Sequence, residues 1–363
     1  MSSNLQVHGG NVIESAERLG LNTNQILDAS ASLVPFKPPK SLQQCLINQV
    51  KENSFRYYPD HSYRQLKEAI GNWHSIDPSM VLPGNGAAEL LTWCARDAAE
   101  MGTSTLLSPS FSDYERSLNC WNGKLIHLDL PLSWSNKTPQ AFPVSTSTHV
   151  VWITNPHNPT GQLWSRKSIE QLLSRHGLVI CDEAFLSLVP HGEKQSLIPL
   201  VANHPNLIII RSLTKLFGIA GLRLGYAISS SERLQKWQNW RDPWPLNSLA
   251  STAGIILMND HIALERWTTK IHNWIIKEGA WLQSKLQTIP EINSHYSSTN
   301  FQLIESKDSL EEVREYLFSR RILVRECSSF RGLGNNWLRI SLQKRKNNKR
   351  IFSEIKKIVK QIH

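Results

Sequence analysis

Residues 212–226 place a lysine between hydroxyl side chains and an arginine, in the order SLTKLFGIAGLRLGY. A lysine amine that is held on a rigid turn and partly desolvated can attack a carbonyl carbon and form a Schiff base. Ser212, Thr214 and Arg223 could bind one phosphate, because arginine offers a forked, charge-assisted contact. The segment therefore predicts that Lys215 binds a carbonyl compound that carries a phosphate. A strand followed by a basic surface turn would give the same local pattern.

A second turn, Gly84-Asn85-Gly86-Ala87, follows a predicted strand and precedes a helix predicted over residues 88–99. Glycines let the backbone approach a ligand closely, and a helix N-terminus offers unpaired N–H groups to a phosphate. An ordinary connection between a strand and a helix would look the same. We interpret the turn as part of a phosphate site because it agrees with the hydroxyls and arginine of the first segment.

Two further segments follow predicted strands. Asn155-Pro156-His157-Asn158-Pro159-Thr160-Gly161 contains two Asn–Pro pairs, which strongly constrain a turn, although a proline-rich surface loop is the alternative. Asp182 follows an apolar strand, where a buried carboxylate is costly unless a cation pairs with it. Ligands of parallel sheets bind at the carboxyl ends of the strands, which is where these segments are expected.

The segments SLTKLFGIAGLRLGY, NPHNPTG and DEAF resemble the signatures of fold-type I enzymes that depend on pyridoxal 5′-phosphate (PLP), the aspartate-aminotransferase-like superfamily. The resemblance implies an α/β fold with a mostly parallel central sheet between helices and a smaller C-terminal α+β domain. It implies that Lys215 forms the Schiff base with PLP, and that Asp182 keeps the pyridine nitrogen protonated so that the ring withdraws electrons. The residues implied to bind the phosphate of PLP are Gly86, Ala87, Ser212, Thr214 and Arg223.

The same resemblance implies roles for three other residues. The amide of Asn158 would donate to the phenolate oxygen of PLP, and Phe111 would stack on its ring. Tyr58 would reach the PLP phosphate of a neighbouring subunit, which predicts a homodimer. Many members have tyrosine where this chain has Phe185, so one hydrogen bond to the phenolate is lost. A cis bond is also implied at one of the two Asn–Pro pairs.

Residues 8–11, HGGN, and 243–247, PWPLN, resemble the family of threonine-phosphate decarboxylases of cobalamin biosynthesis. That resemblance implies decarboxylation of L-threonine O-3-phosphate to (R)-1-amino-2-propanol O-2-phosphate. A transaminase similar to histidinol-phosphate aminotransferase is the alternative, because the reaction that PLP promotes depends on which Cα bond of the substrate is held perpendicular to the ring. A non-catalytic regulator with the same fold is a remote third reading, against which the retained lysine argues.

A phosphorylated amino-acid substrate needs an anion site beyond the one that the cofactor occupies. Arg325, Arg339 and His8 are the candidates for it, and Asn158 also faces the substrate by the resemblance. Where the family usually has asparagines in a stretch like SANxNP, this chain has SASLVP over residues 30–35, with Ser32 at the substrate end of the pocket. Without the resemblance, His8 would be read as a histidine of a disordered tail, and Arg339 equally well as a surface residue of a strand.

Length and composition limit the class of protein to which the chain can belong. The chain has 363 residues, 40% of them hydrophobic, and no apolar run long enough to span a bilayer. Its five cysteines include no close pair, and the start lacks the features of a signal peptide, so we expect a cytoplasmic protein without a metal site or disulfides. The formal net charge of +10 is concentrated after residue 343. There it fits an amphipathic terminal helix with a solvated basic face better than it fits nucleic-acid binding.

The elements that must position these residues can be read from the apolar pattern. Strands are predicted over residues 80–82, 105–107, 124–128, 149–153, 178–181, 207–210 and 224–228, and a smaller set of strands and helices after residue 246. Asn11 is predicted to cap a short helix that ends near Gly20. We therefore predict three parts: an N-terminal arm (1–35), a large PLP-binding domain (36–245) and a small C-terminal domain (246–363).

Overall fold

The computed structural model describes residues 9–362 and arranges them around two β-sheets. The strands of the described chain are β1 Leu27–Ala29, β2 Val81–Asn85, β3 Ser104–Ser108, β4 Leu125–Asp129, β5 Val150–Thr154, β6 Leu178–Asp182, β7 Leu207–Ser212, β8 Leu224–Ile228, β9 Asn293–Ser294, β10 Phe301–Glu305, β11 Ile322–Glu326 and β12 Trp337–Ser341. Its α-helices are α1 Val12–Leu19, α2 Lys40–Lys51, α3 Arg64–His74, α4 Gly86–Met101, α5 Ser112–Asn119, α6 Arg166–Leu173, α7 Leu213–Phe217, α8 Ser231–Trp240, α9 Ser248–Asn259, α10 His261–Leu286, α11 Glu311–Ser319 and α12 Arg345–Ile362.

The larger sheet has seven strands in the order β2-β8-β7-β6-β5-β3-β4. Only β8 runs opposite to the others, since it pairs antiparallel with both β2 and β7 while the remaining pairs are parallel. All seven strands were predicted, with ends that differ by at most two residues except in β2, which extends three residues beyond its predicted end. The predicted fold class, a mostly parallel central sheet between helices, is confirmed.

Both faces of this sheet are covered, and the sequence of β6 shows how. Successive side chains of a strand point to opposite faces. Leu178 and Ile180 therefore join a core with residues of α4, whereas Val179 and Cys181 join a core with residues of α9 and α10. A strand that is buried on both sides is apolar over most of its length, which is why β5, β6 and β7 each begin with a continuous run of four hydrophobic residues.

The smaller sheet has the order β1-β11-β12-β10-β9. Its edge strand β1 comes from the predicted N-terminal arm and pairs in parallel with β11, so that Leu27 lies opposite Ile322. The sequence analysis did not predict β1 or β9, because strands of three and two residues are too short to show a periodic pattern. The division of the chain at residues 35 and 245 stays a prediction.

The first and last described helices, α1 and α12, have the cap and the amphipathic pattern that the sequence predicted. Asn11 accepts a hydrogen bond from the backbone of Glu14 and caps α1, which ends at Gly20 in the left-handed conformation. In α12, Ile351, Ile355 and Val359 are buried, and the lysines between them face outward. Among residues 9–362, no helix is both long and apolar enough to cross a membrane. Within the same residues, no cluster of His, Cys, Asp and Glu could hold a metal ion.

Candidate active site

A cavity of about 270 Å³ opens at the carboxyl ends of the central strands and is closed on one side by the smaller sheet. Its lining residues are Gly9, Ser30, Ala31, Ser32, Ala87, Ala88, Leu91, Phe111, Thr154, Asn158, Asp182, Ala184, Phe185, Ser212, Thr214, Lys215, Arg223, Arg325, Phe330 and Arg339. Four of the described lining residues are cationic and one is acidic. A cavity with this charge balance is suited to bind anions.

Lys215 lies in α7, a helix of five residues between the end of β7 and Gly218. Gly218 has φ 65°, a conformation that glycine adopts without strain, and it ends the helix at once. Burial, together with the positive charges of Arg339 and Arg223, lowers the pKa of Lys215 to about 8, while Asp182 opposes the shift. The amine is therefore neutral more often than an ordinary lysine amine, as a nucleophile requires.

Asp182 ends β6, and each oxygen of its buried carboxylate has a fixed donor. The hydroxyl of Tyr114 donates to Oδ2 at 2.7 Å, and the backbone N–H of Ala184 donates to Oδ1 at 2.9 Å. Burial raises the pKa of Asp182, whereas both hydrogen bonds and the charge of Lys215 lower it. Tyr114 was not among the predicted site residues, and only its spacing of three residues from Phe111 could have drawn attention to it.

The predicted phosphate-binding residues come together. The hydroxyl oxygens of Ser212 and Thr214 are 2.6 Å apart, and Ala87 lies at the first turn of α4 on the cavity wall. Gly86 has φ 78°, and a Cβ atom at this position would lie 2.5 Å from Nη2 of Arg223. A glycine is therefore required for the arginine to lie over the N-terminus of α4. Hydroxyls, a guanidinium and helix N–H groups are the donors that a phosphate accepts from.

Asn158 and Arg339 form a buried pair across the cavity wall. Nη1 of Arg339 donates to Oδ1 of Asn158, and Nη2 donates to the carbonyl oxygen of Ser30 at 3.2 Å. Nε of Arg339 is buried and has no hydrogen-bond partner among the described residues. Both Asn155–Pro156 and Asn158–Pro159 are cis, where the sequence analysis predicted one of the two.

Arg325 lies next to Arg339, because the two residues are register partners in β11 and β12. Arg325 pairs with Glu326 at 2.9 Å and lies over the ring of Phe330. Burial and the charge of Arg325 lower the pKa of Arg339 to about 10. Two adjacent cations destabilise each other unless an anion binds between or beside them, so this wall is a candidate second anion site.

Three of the remaining predicted residues line the cavity, and Tyr58 does not. Phe111, Ser32 and Phe185 line the cavity, and the Ser32 hydroxyl lies 3.2 Å from that of Ser341. Tyr58 does not line it: its side chain is 78% exposed and stacks on Trp244 with 4.3 Å between ring centroids. His8 lies outside the described residues.

The arrangement fits PLP. Ser212, Thr214, Arg223 and the N-terminus of α4 would hold its phosphate, Asp182 its ring nitrogen, and Lys215 its aldehyde carbon. The unpartnered Nε of Arg339 adds an unused donor on the substrate side of the cavity. The fold and this set of groups define an enzyme whose cofactor is PLP.

Comparison with known proteins gives the family. The model described as aminotransferase class I and II matches residues 16–355, and the chain belongs to this family. The chain is 32% identical, over 94% of its length and 90% of the relative, to a protein of Caldanaerobacter subterraneus subsp. tengcongensis whose name, threonine-phosphate decarboxylase, is provisional. It is 27% identical to the threonine-phosphate decarboxylase of Salmonella typhimurium, over 97% and 96% of the two chains. The crystal structure of histidinol-phosphate aminotransferase from Clostridium acetobutylicum superposes with a TM-score of 0.82 at 25% identity, over 93% of this chain and all of the other.

Proposed function

We propose that the chain is a PLP-dependent decarboxylase that converts L-threonine O-3-phosphate to (R)-1-amino-2-propanol O-2-phosphate, a step of cobalamin biosynthesis. The observation that carries the proposal is the pair Arg325 and Arg339, which supplies positive charge beyond the groups that the cofactor phosphate would occupy. A substrate with both a carboxylate and a phosphate matches that charge. The names of the two relatives point to the same substrate.

Each residue has a defined task in this proposal. When bound, PLP withdraws the electrons of the bond that breaks at Cα of the amino acid. Arg325, Arg339 and His8 bind the acidic groups of the substrate, and Asn158 and Ser32 border it. The carboxylate leaves as carbon dioxide, and the ammonium form of Lys215, whose pKa is about 8, would donate the proton that takes its place on Cα.

The active unit of the proposal is a homodimer in the cytoplasm, in which Tyr58 of each subunit completes the phosphate site of the other. The exposure of Tyr58 supports this arrangement, since its hydroxyl does not reach the cavity of its own subunit. The Trp244 ring supports one face of Tyr58 and leaves the side chain extended from the surface.

The deciding experiment supplies the purified holoprotein with L-threonine O-3-phosphate and measures carbon dioxide release and the amine product. We expect stoichiometric release, and little turnover of unphosphorylated threonine. Rapid transfer of the amino group from glutamate to a keto acid, without carbon dioxide release, would instead establish the aminotransferase reading. The same arginines would then bind the acidic group of a different substrate.

A further inference from the structure

Tyr114 is a buried phenol to which neither the sequence motifs nor the proposed chemistry assigns a role. Its hydroxyl lies 2.7 Å from Oδ2 of Asp182 and 2.8 Å from Oγ1 of Thr154, and its side chain is 2% exposed. We propose that Tyr114 is a positioning residue, whose hydroxyl holds the Asp182 carboxylate in the orientation and charge state that meet the ring nitrogen of PLP. The inference rests on the proposed role of Asp182.

The direction of the hydrogen bonds follows from the groups themselves. An ionised carboxylate only accepts, and a phenol has one proton to donate. The Tyr114 proton therefore points to Asp182, and the Tyr114 oxygen accepts from the hydroxyl of Thr154. Burial raises the pKa of Tyr114 well above its ordinary value, so the phenol keeps its proton and stays a donor. The resulting chain, Thr154 to Tyr114 to Asp182, stabilises negative charge at its end.

The phenol ring is fixed on two sides. It meets Phe111 edge-on with 5.7 Å between centroids, and it lies 5.4 Å from the ring of Trp152. Phe111 and Tyr114 are three residues apart at the start of α5, where the backbone N–H of Tyr114 donates to the carbonyl oxygen of Phe111. One helix turn thus presents both the ring that would stack on the cofactor and the hydroxyl that holds its acidic partner.

Without the Tyr114 hydroxyl, Asp182 would keep the Ala184 N–H as its remaining described hydrogen bond. The carboxylate could then rotate about that bond, and its buried charge would lose a donor. A hydrogen bond to a charged group typically contributes about 1.5–3 kcal/mol, which corresponds to roughly one to two pKa units at Asp182. Only part of this change in the pKa of Asp182 would appear as a change in the pKa of the bound cofactor.

The test compares three single variants. Tyr114→Phe removes one oxygen and keeps the ring contacts, and Thr154→Val removes the donor to Tyr114. Tyr316→Phe is the matched control, because the Tyr316 hydroxyl also donates to a carboxylate, Glu354 at 2.9 Å, on the helices α11 and α12 away from the cavity. For each protein we would titrate the visible absorption band of the holoprotein with pH, measure the dissociation constant of PLP, and record the melting temperature.

For Tyr114→Phe we expect the pH midpoint of the visible band to rise by about 0.3–1 unit, because a ring nitrogen with less positive charge repels the proton on the lysine nitrogen less. We expect PLP to bind roughly 5- to 20-fold more weakly, as one charged hydrogen bond is lost. Thr154→Val should move both values in the same direction by less, and Tyr316→Phe should move neither. A folded Tyr114→Phe protein with unchanged midpoint and affinity would overturn the proposal.

A double variant separates positioning from simple structural support. In an Asp182→Asn background the carboxylate is already gone, so Tyr114→Phe should add little further change in the midpoint. An undiminished effect there would show that Tyr114 acts independently of Asp182 and would refute the inference. If Tyr114→Phe does not fold, Thr154→Val decides alone, and an unchanged midpoint counts against the proposal. These readouts require PLP binding but no decarboxylation, so they are independent of the proposed substrate.

Discussion

Arg339 and Arg223 affect Lys215 through their charge. Together with burial they lower its pKa to about 8, and the same arginines are placed to bind anionic groups in the cavity. A bound phosphate or carboxylate compensates the charge of the arginines, so anion binding would raise the pKa of Lys215 again. At the scale of single residues, the site therefore activates the lysine most strongly while its anion sites are free.

The first prediction concerns the pH dependence of cofactor capture. A protonated amine has no free electron pair, so the rate at which apoprotein and PLP develop a visible band should rise with pH and level off above about 8. Arg339→Gln removes one of the two cations and should move this midpoint upward. Lys215→Ala should develop no such band at any pH. A rate that stays constant between pH 6.5 and 9 would contradict the assignment.

The second prediction concerns the additional anion site. Removing one charge-assisted contact to a buried phosphate typically costs roughly 2–4 kcal/mol in transition-state binding. Arg325→Ala should therefore lower kcat/KM for threonine phosphate by about 30- to 1,000-fold and leave PLP occupancy unchanged. Arg331→Ala is the control, since this exposed arginine lies six positions away and does not line the cavity. Equal kcat/KM for the Arg325 and Arg331 variants would remove Arg325 from the substrate site.

At the scale of elements, the end of β6 directs two adjacent carboxylates to opposite sides. Asp182 faces the cavity, while Glu183 faces the core and binds Arg211 of β7 at 2.8 Å, the hydroxyl of Ser196 and the backbone N–H of Leu197. Arg211 directly precedes the segment that carries Ser212 and Lys215. The pair thus fixes the ends of two neighbouring strands behind the cavity.

The third prediction tests this pair through stability. Glu183→Ala removes the fully buried partner of Arg211 and leaves the Ser196 hydroxyl and the Leu197 N–H without their acceptor, so it should reduce the free energy of unfolding by roughly 3–5 kcal/mol. Glu193→Ala is the comparison, because Glu193 also binds Arg211 but its side chain is 47% exposed. Water can replace much of that contact, so we expect a loss of about 1 kcal/mol. Urea unfolding of the apoproteins measures both, and equal losses would contradict the argument.

The elements that the sequence predicted well are those whose signal is local. β5, β6 and β7 are apolar up to their last one or two residues, and Lys215, Asp182 and Asn158 each belong to a short motif at or just after the end of one of these strands. Contacts between distant residues carry no such signal. Tyr114 and Asp182 are 68 residues apart, and no pattern in either segment marks the hydrogen bond between them. The register that pairs Arg325 with Arg339 depends on how β11 and β12 align, which periodicity alone does not determine.

At the scale of the whole molecule, aromatic side chains extend from the surface near residues 55–58. Phe55, Tyr57 and Tyr58 are each more than half exposed, and Trp244 beside them is 42% exposed. Large exposed apolar groups of this kind mark surfaces that bind a partner. The proposed homodimer gives this surface an occupant and brings Tyr58 to a second cavity.

The fourth prediction is a complementation between two variants that are each expected to have reduced activity. If Tyr58 serves the partner's cavity, a hybrid of Lys215→Ala and Tyr58→Phe subunits contains one intact site, with its lysine from one chain and its tyrosine from the other. Unfolding and refolding the mixture should therefore restore activity above the sum of the separate variants, toward about a quarter of the wild-type value for random pairing. No restoration in a mixture that forms hybrids would place Tyr58 in its own subunit's site.

The pairing of β1 with β11 also has a consequence for how the protein is made. The large sheet is complete once residue 228 has been synthesised, whereas β1 waits for residues 322–326 before it can pair. Contacts between segments this far apart in the chain form late in folding, because closing long loops costs entropy before any contact compensates it. Ser30 and Ser32 directly follow β1, so the wall that borders the substrate should assemble last, after the strands that carry Asp182 and Lys215. A chain still on the ribosome would thus acquire its cofactor pocket before its substrate pocket.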